Sequence, residues 1–516
     1  MANLTSRERV LRLFKRELID RIPVFSGMGN VTVHGLEKYG LRFADVHTDP
    51  DKMAKLAAST FELFGFECAV VPFDMGIEAE ALGCKVNFYG HRDDVLYPTV
   101  TTHLADKVDD LDFDIPKDLA KAGRIPVVVE AIRLLKKRVG DQVAVGSWCL
   151  GPHLILGQVT DVGNLAKSMI KLPDKINKLL DKTTQVVIQL SKIYREAGAD
   201  YFTVREMGAG ADILSPNLFR KLVKPHLQQV FAAIDSPNSL HICGDTNAII
   251  EDMAACGADS ISVEEKNHMA ESRKKLGPDA LIFGNIAGFT TLVGGKPADV
   301  DAAVKAAIDN GSSAIWPGCD IWPTVPKENM QAMMAAAEKY GATSAGVMVF
   351  TGAGKGKTTA AVGVALRMIA RDRRVIFVHF TGPQHPVLGE VKAAAALGSN
   401  WRTIGIKSEA KDTSYLASFT ESVDTVEEAL TKAHDCWLHE CDLLVLDDIG
   451  HHLSRGGFDM GQVLSLIDNR PRNTSVILTG IYIPELIVQK ADLVTKFLKI
   501  KQPKNAGTHL RKGINF

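Results

Sequence analysis

LHICG, residues 240–244, is a short β-rich run set between two long amphipathic stretches, and seven runs of the same kind accompany it within the first 340 residues. They are 22–27 (IPVFSG), 68–73 (CAVVPF), 143–148 (VAVGSW), 201–206 (YFTVRE), 260–264 (SISVE), 281–285 (LIFGN) and 313–318 (SAIWPG). Strands that alternate with helices build parallel sheets, because each crossover returns the chain to the same end of the sheet. Eight such units predict a (β/α)8 barrel over residues 1–340. In that architecture the C-terminal strand ends carry the chemistry, so Glu206, Cys243, Glu264, Asn285 and Cys319 mark where a site is expected.

An Ala- and Met-rich helix over 329–340 ends at Gly341, and GATSAG, residues 341–346, reads as a linker. Beyond it the alternation restarts, with buried-type strands at 347–350, 375–380, 443–446 and 475–478. This pattern predicts a doubly wound α/β domain over 347–516, so the expected fold class is α/β throughout.

TGAGKGKTT, residues 351–359, lies directly between the first of these strands and an Ala/Val-rich helix. The backbone amides of such a loop cradle phosphates, a lysine adds charge and a hydroxyl ligates magnesium. Gly352, Gly354, Lys355, Gly356, Lys357, Thr358 and Thr359 are therefore expected to hold a nucleotide such as ATP. The strand end LLVLDD, 443–448, supplies Asp447 as a second partner for magnesium, with Asp448 beside it. Cys436, His439 and Cys441 suggest a further cluster, but helical spacing puts only the first two on one face, and a structural role is preferred.

Composition narrows the class. The 516 residues are 46% apolar and 23% charged, the mix of a globular protein with a large core. Lys plus Arg number 60 against 61 acidic residues, so no net field favours nucleic acid or an anionic membrane. No apolar run approaches the ~18 residues of a spanning helix. The 8 scattered cysteines show no disulfide framework, and a cytoplasmic location with reduced thiols is expected.

His241 and Cys243 stand at i and i+2 on one strand and so face the same way, while Cys319 ends the last strand, expected next door in the closed barrel. One imidazole and two thiolates suit tetrahedral zinc with an open position; spacing alone equally allows packed strand residues and a loop thiol. Glu206 is a candidate to fill the open position or to accept a hydrogen bond behind the ligands, and Glu80, with Glu78, a candidate to orient substrate. Trp316 and Trp322 flank the Cys319 loop, as packing or as an apolar wall.

Residues 1–340 resemble the uroporphyrinogen decarboxylase-like superfamily, and more closely its methylcobamide:coenzyme M methyltransferase branch. The resemblance runs through Asp20-Arg21-Ile22-Pro23-Val24, Glu78-Ala79-Glu80-Ala81-Leu82-Gly83-Cys84, Leu240-His241-Ile242-Cys243-Gly244, Gly284-Asn285-Ile286 and Pro317-Gly318-Cys319-Asp320. It implies zinc on His241, Cys243 and Cys319, and transfer of a methyl group from a methylcorrinoid (a methylated cobalamin) to an acceptor thiol. Coenzyme M, another small thiol and tetrahydrofolate all remain open as acceptors. Decarboxylases of the superfamily carry an Arg-rich stretch after the first strand; here Ser26-Gly27-Met28-Gly29-Asn30 follows, which argues against porphyrinogen decarboxylation. The chain has no Asp-x-His-x-x-Gly corrinoid motif in the barrel, so the corrinoid is expected on a separate protein or free.

Residues 346–516 resemble the ATP:corrinoid adenosyltransferases, through the shortened phosphate loop, Arg367, Gly389-Glu390, the strand ending at Asp447-Asp448, Arg470-Pro471, Ile477-Leu478-Thr479-Gly480, Ala491-Asp492-Leu493-Val494 and Lys512-Gly513-Ile514-Asn515-Phe516. That resemblance implies ATP with magnesium and a nucleotide role for Arg367 and Asp448. Three departures bear on adenosyl transfer: Asp447-Asp448 replaces Asp-Glu, Ile481 follows Thr479-Gly480 in place of Arg, and Gly405-Ile406-Lys407-Ser408-Glu409-Ala410 replaces the family's aromatic segment. The leading expectation is a zinc methyltransferase fused to an ATP-dependent corrinoid-handling domain. The alternatives are adenosyl transfer as the main activity, or a nucleotide-gated corrinoid-binding module.

Overall fold

The computed structural model of the chain describes residues 4–17, 19–341, 346–371, 373–380, 389–398, 400–407, 419–437, 441–455, 459–470 and 474–501. It divides into two compact units, Met1–Ala342 and Thr343–Phe516.

In the first unit six parallel strands follow one another around a ring: Cys68–Val71, Ala144–Leu150, Tyr201–Arg205, Asn238–Ile242, Ser260–Val263 and Ile282–Phe283. The first and last expected runs complete it by single parallel bridges, Val24 to Ile315, Phe283 to Ala314 and Ile286 to Pro317, and the Glu67 amide donates to the Val24 carbonyl. Pro23 and Pro317 explain why these two staves are not full strands, since proline has no amide hydrogen to continue a ladder. With them the ring has the eight staves of the expected barrel.

The fully buried Glu67 carboxylate reinforces that seam. Oε2 accepts from the Val24 amide at 2.8 Å and from Arg21 at 2.7 Å, while Oε1 pairs with Arg9 of the helix Ser6–Phe14. The same helix, opened by a capping box between Thr5 and Glu8, lays Phe14 against Phe25, Tyr201 and Phe283. Tyr201 begins its strand, so this aromatic plug closes the N-terminal end of the barrel. Burying such a ring stabilises by about 1.5–3 kcal/mol, with edge-to-face contacts adding to it. The C-terminal mouth is the end left for chemistry.

The second unit is a parallel sheet of seven strands in the order Glu421–Val423, Trp401–Ile406, Val375–His379, Leu443–Asp447, Ser475–Gly480, Val347–Thr351 and Leu493–Lys496. Both faces are covered: Leu444 and Leu446 enter one apolar cluster, Leu443 and Val445 the other. That two-sided burial is why the strand reads as an unbroken apolar run. Three strands escaped the sequence reading, at Trp401–Ile406, Glu421–Val423 and Leu493–Lys496. Among the described residues no helix is long and apolar enough to cross a membrane.

Candidate metal centre and nucleotide loop

At the barrel mouth His241 Nε2 lies 3.0 Å from Cys243 Sγ, which lies 3.3 Å from Cys319 Sγ. The three ligand atoms fall within 4.8 Å of one another. Cys319 is not on a neighbouring stave, as the sequence suggested: the strands Ser260–Val263 and Ile282–Phe283 stand between. The residues meet because the side chains at the strand ends converge across the mouth. His241 Nδ1 lies 3.0 Å from the Ser262 hydroxyl, which orients the ring and leaves Nε2 toward the sulfurs.

The donor chemistry fits a divalent cation. Tetrahedral bonds of about 2.3 Å from zinc to sulfur would hold two sulfurs about 3.8 Å apart, so the observed pair need open only slightly. The hydrogen bond from Cys243, helped by His241 and Arg205, lowers the pKa of the Cys319 thiol well below its ordinary value against the opposing effect of burial, while the same bond and burial together raise that of Cys243.

Arg205 is the residue the sequence reading missed. It pairs in register with His241, and is almost wholly buried. Its guanidinium binds Asp320 at 2.6 and 3.2 Å, reaches to 3.9 Å from Cys319 Sγ and lies 4.4 Å over the Trp148 ring. Burial works against its charge, but Asp320 and Cys319 hold the guanidinium above its ordinary pKa.

Glu206, one residue on, projects to the other face of the stave. Its oxygens accept the His153 and Leu154 amides at 3.1 and 2.8 Å, capping the helix Pro152–Val159. It does not join the three-ligand group. Glu80 does not either: its carboxylate accepts from Arg124 Nε at 2.5 Å, and Arg124 binds Asp74 through two further bonds. Glu206 is thus held by helix amides and Glu80 by an ion pair. Glu78 is fully buried, accepts the Leu150 amide at 3.1 Å through Oε1, and its carboxyl is pushed up to about 7 by burial. Trp316 is buried among Phe25 and Phe283, a packing role, whereas Trp322 is exposed beside Phe289.

In the second unit the phosphate loop leaves the strand Val347–Thr351 and enters the helix Lys357–Ile369. Gly352 and Gly356 have φ of +104° and +106°, a region open to glycine at little cost. The Gly352 and Gly354 amides donate to the carbonyls of Ile481 and Phe497, so these glycines shape the loop. Lys355 and Thr359 are exposed; Lys357 Nζ folds over the loop onto the Gly352 and Gly354 carbonyls. Thr358 Oγ1 donates to Asp447 Oδ1 at 2.9 Å, joining the two residues expected to share magnesium. Asp448 adopts a positive φ of 58° at the strand end, and its amide donates to Thr479. Arg367 sits exposed nine residues beyond Thr358 on the same helix, a rise of about 13 Å, so it is not brought to the loop. His439, residues 408–410, Pro471 and 512–516 lie outside the described residues.

Comparison with known proteins agrees with both units. The family profile described as uroporphyrinogen decarboxylase (URO-D) matches residues 5–340, and that of the ATP:corrinoid adenosyltransferases BtuR/CobO/CobP matches 344–516. The methylcobamide:CoM methyltransferase MtaA of Methanosarcina barkeri is 35% identical over 342 residues, covering 66% of this chain and 99% of the relative. MtbA of Methanosarcina mazei, another methylcobamide:CoM methyltransferase, is 29% identical over 346 residues, covering 66% and 99%. A solved methyltransferase from Methanosarcina mazei superposes with a TM-score of 0.62 at 33% identity, covering 65% of this chain and 99% of its own. From its barrel the chain belongs to the uroporphyrinogen decarboxylase (URO-D) family, and it carries a C-terminal ATP:corrinoid adenosyltransferase domain.

Proposed function

We propose that the barrel is a zinc-dependent methyltransferase that moves a methyl group from a methylcorrinoid to a small thiol, coenzyme M being the acceptor its relatives' names point to. The observation that carries this reading is the convergence of His241, Cys243 and Cys319 at the mouth, a soft set of three donors for a tetrahedral ion. Zinc bound there would deprotonate an acceptor thiol and supply Lewis acidity.

The chain's own residues do the rest. Ser262 holds His241 in one orientation, and the ion pair of the buried Arg205 with Asp320 fixes the Cys319 loop beside it. Trp148 closes the far face of Arg205 from water. In the transfer the acceptor sulfur takes the methyl carbon in line, the cobalt–carbon bond breaks and its electron pair stays on cobalt. Positioning the two reactants is the larger part of what the mouth contributes. A separate corrinoid protein is the partner that fits this reading, and the free thiols of the described cysteines fit a reducing cytoplasm.

Residues 347–516 are read as a magnesium–ATP domain that adenosylates or otherwise maintains the corrinoid, supported by the Thr358–Asp447 bond at the end of the phosphate loop. The test is anaerobic. Zinc-loaded protein is mixed with methylcob(III)alamin and a panel of thiols and tetrahydrofolate, and loss of the methyl–cobalt absorption band is followed, with Cys243→Ala alongside. Demethylation with one acceptor, lost in the variant, supports the reading and names the acceptor. No demethylation with any acceptor, free or protein-bound corrinoid alike, refutes it. Triphosphate release from ATP and cob(I)alamin would instead make adenosyl transfer the main activity, and ATP-dependent corrinoid binding without turnover would make the domain a gated carrier.

A further inference from the structure

We propose that His379 is a positioning residue of the nucleotide site, holding Asp447 in place for the magnesium ion of a bound nucleoside triphosphate. This rests on the reading of residues 347–516 as a magnesium–nucleotide domain.

The strands Val375–His379 and Leu443–Asp447 are parallel neighbours in a register that sets His379 beside Asp447. Both therefore leave the sheet side by side at its C-terminal edge, where ligands of open α/β sheets bind. The two Asp447 oxygens face different neighbours. Oδ1 accepts from the Thr358 and Thr479 hydroxyls at 2.9 and 2.7 Å, and Oδ2 faces His379 Nδ1 across 3.5 Å. A magnesium ion that takes the Thr358 hydroxyl removes one of these restraints. Thr479 and His379 are then what keeps the carboxylate in its place.

The imidazole is itself locked. It stacks on Phe377 at 4.7 Å and 25° between planes, and meets Phe419 edge-on at 5.4 Å and 76°. The strand is otherwise apolar and wholly buried, so a packing role would be met better by an aliphatic or aromatic residue. Instead His379 keeps a buried Nε2 with no hydrogen-bond partner among the described residues, a cost that a fold seldom tolerates without a functional reason. Arrival of a hydrated cation and its phosphates would bring further polar groups to this end of the sheet.

The test uses the full chain and its His379→Phe, His379→Gln and His379→Asn variants. Binding of a fluorescent ATP analogue is titrated in EDTA and again against magnesium, with melting curves as a check on folding. Phenylalanine keeps the packing and removes the polar contact; asparagine carries its amide nitrogen on the γ-carbon, as histidine carries Nδ1, and keeps a donor toward Asp447; glutamine is polar but sets its amide one bond further out. The expected result is a magnesium half-saturation raised about tenfold in His379→Phe and His379→Gln, restored in His379→Asn, with metal-free affinity within about twofold of wild type throughout. An unchanged magnesium dependence in both the Phe and Gln variants overturns the proposal, as does an equal loss with and without the metal in all three. Wild type that binds the analogue under neither condition overturns the nucleotide reading and this inference with it, an outcome separate from normal wild-type binding that the variants leave unaltered.

Discussion

Cys243 Sγ and Cys319 Sγ stand 3.3 Å apart although 76 residues separate them in the chain. Two thiols so placed are one oxidation from a disulfide, and a cation between them would deny the oxidant both sulfurs. Metal-free protein treated with peroxide is expected to lose both thiols together in a thiol titration, whereas zinc-loaded protein keeps them. Equal loss in the two forms would show that the ion does not sit between these sulfurs.

Ser262 reaches the cluster through His241 Nδ1, at 3.0 Å. Outer groups of this kind set the orientation and basicity of a metal-bound imidazole, and their removal costs about 10- to 100-fold in metal affinity. Ser262→Ala should weaken zinc binding, in competition with a chelator, by about tenfold or more while the melting temperature of the metal-free form stays put.

Glu67 takes Arg9, Arg21 and the Val24 amide at the seam of the barrel, with its own side chain fully buried. Removing one member of a buried charged cluster strands the others and costs about 3–5 kcal/mol. Glu67→Ala is therefore expected to lower barrel stability in urea by roughly that amount. A midpoint within error of wild type would show that the seam does not depend on this carboxylate.

Glu78 gives a pH signature. Burial raises its carboxyl from 4.5 to about 7, so the folded state favours the protonated form. Its contribution to stability is full below about pH 4.5 and is lost as pH rises through 7, at about 1.4 kcal/mol for each pH unit crossed between those two values. Asp74 works in the opposite sense, its carboxyl held below the ordinary range by His47 and Arg124 against the opposing pull of burial, so its contribution is lost only in more acid solution. Glu78→Gln should flatten the fall in urea midpoint between pH 5 and pH 8 and raise stability at the alkaline end. A parallel fall in the variant would place the pH dependence elsewhere.

How far the sequence discloses this arrangement depends on which constraint each residue obeys. The staves are legible because a parallel barrel buries both faces of its strands, leaving apolar runs such as CAVVPF between helical stretches. The phase of a strand end is harder: YFTVRE offers two charged residues, and only the pairing of Arg205 with His241 shows which one enters the mouth. Leu493–Lys496 was missed because it is exposed along its whole length and carries no apolar alternation. The Arg124 ion pairs that occupy Glu80 and Asp74 join residues 44 and 50 apart, and neither local propensity nor spacing encodes them.

The seam of single bridges at Val24, Ile315 and Pro317 has a consequence at the opposite end of the molecule's chemistry. Cys319 hangs from a stave held by isolated bridges, while Cys243 follows a strand laddered to both neighbours. A metal ion gripping both would act as a clasp on a hoop, tying a stave held by isolated bridges to a firm one across the opening. Metal occupancy and the rigidity of the barrel rim would then rise and fall together.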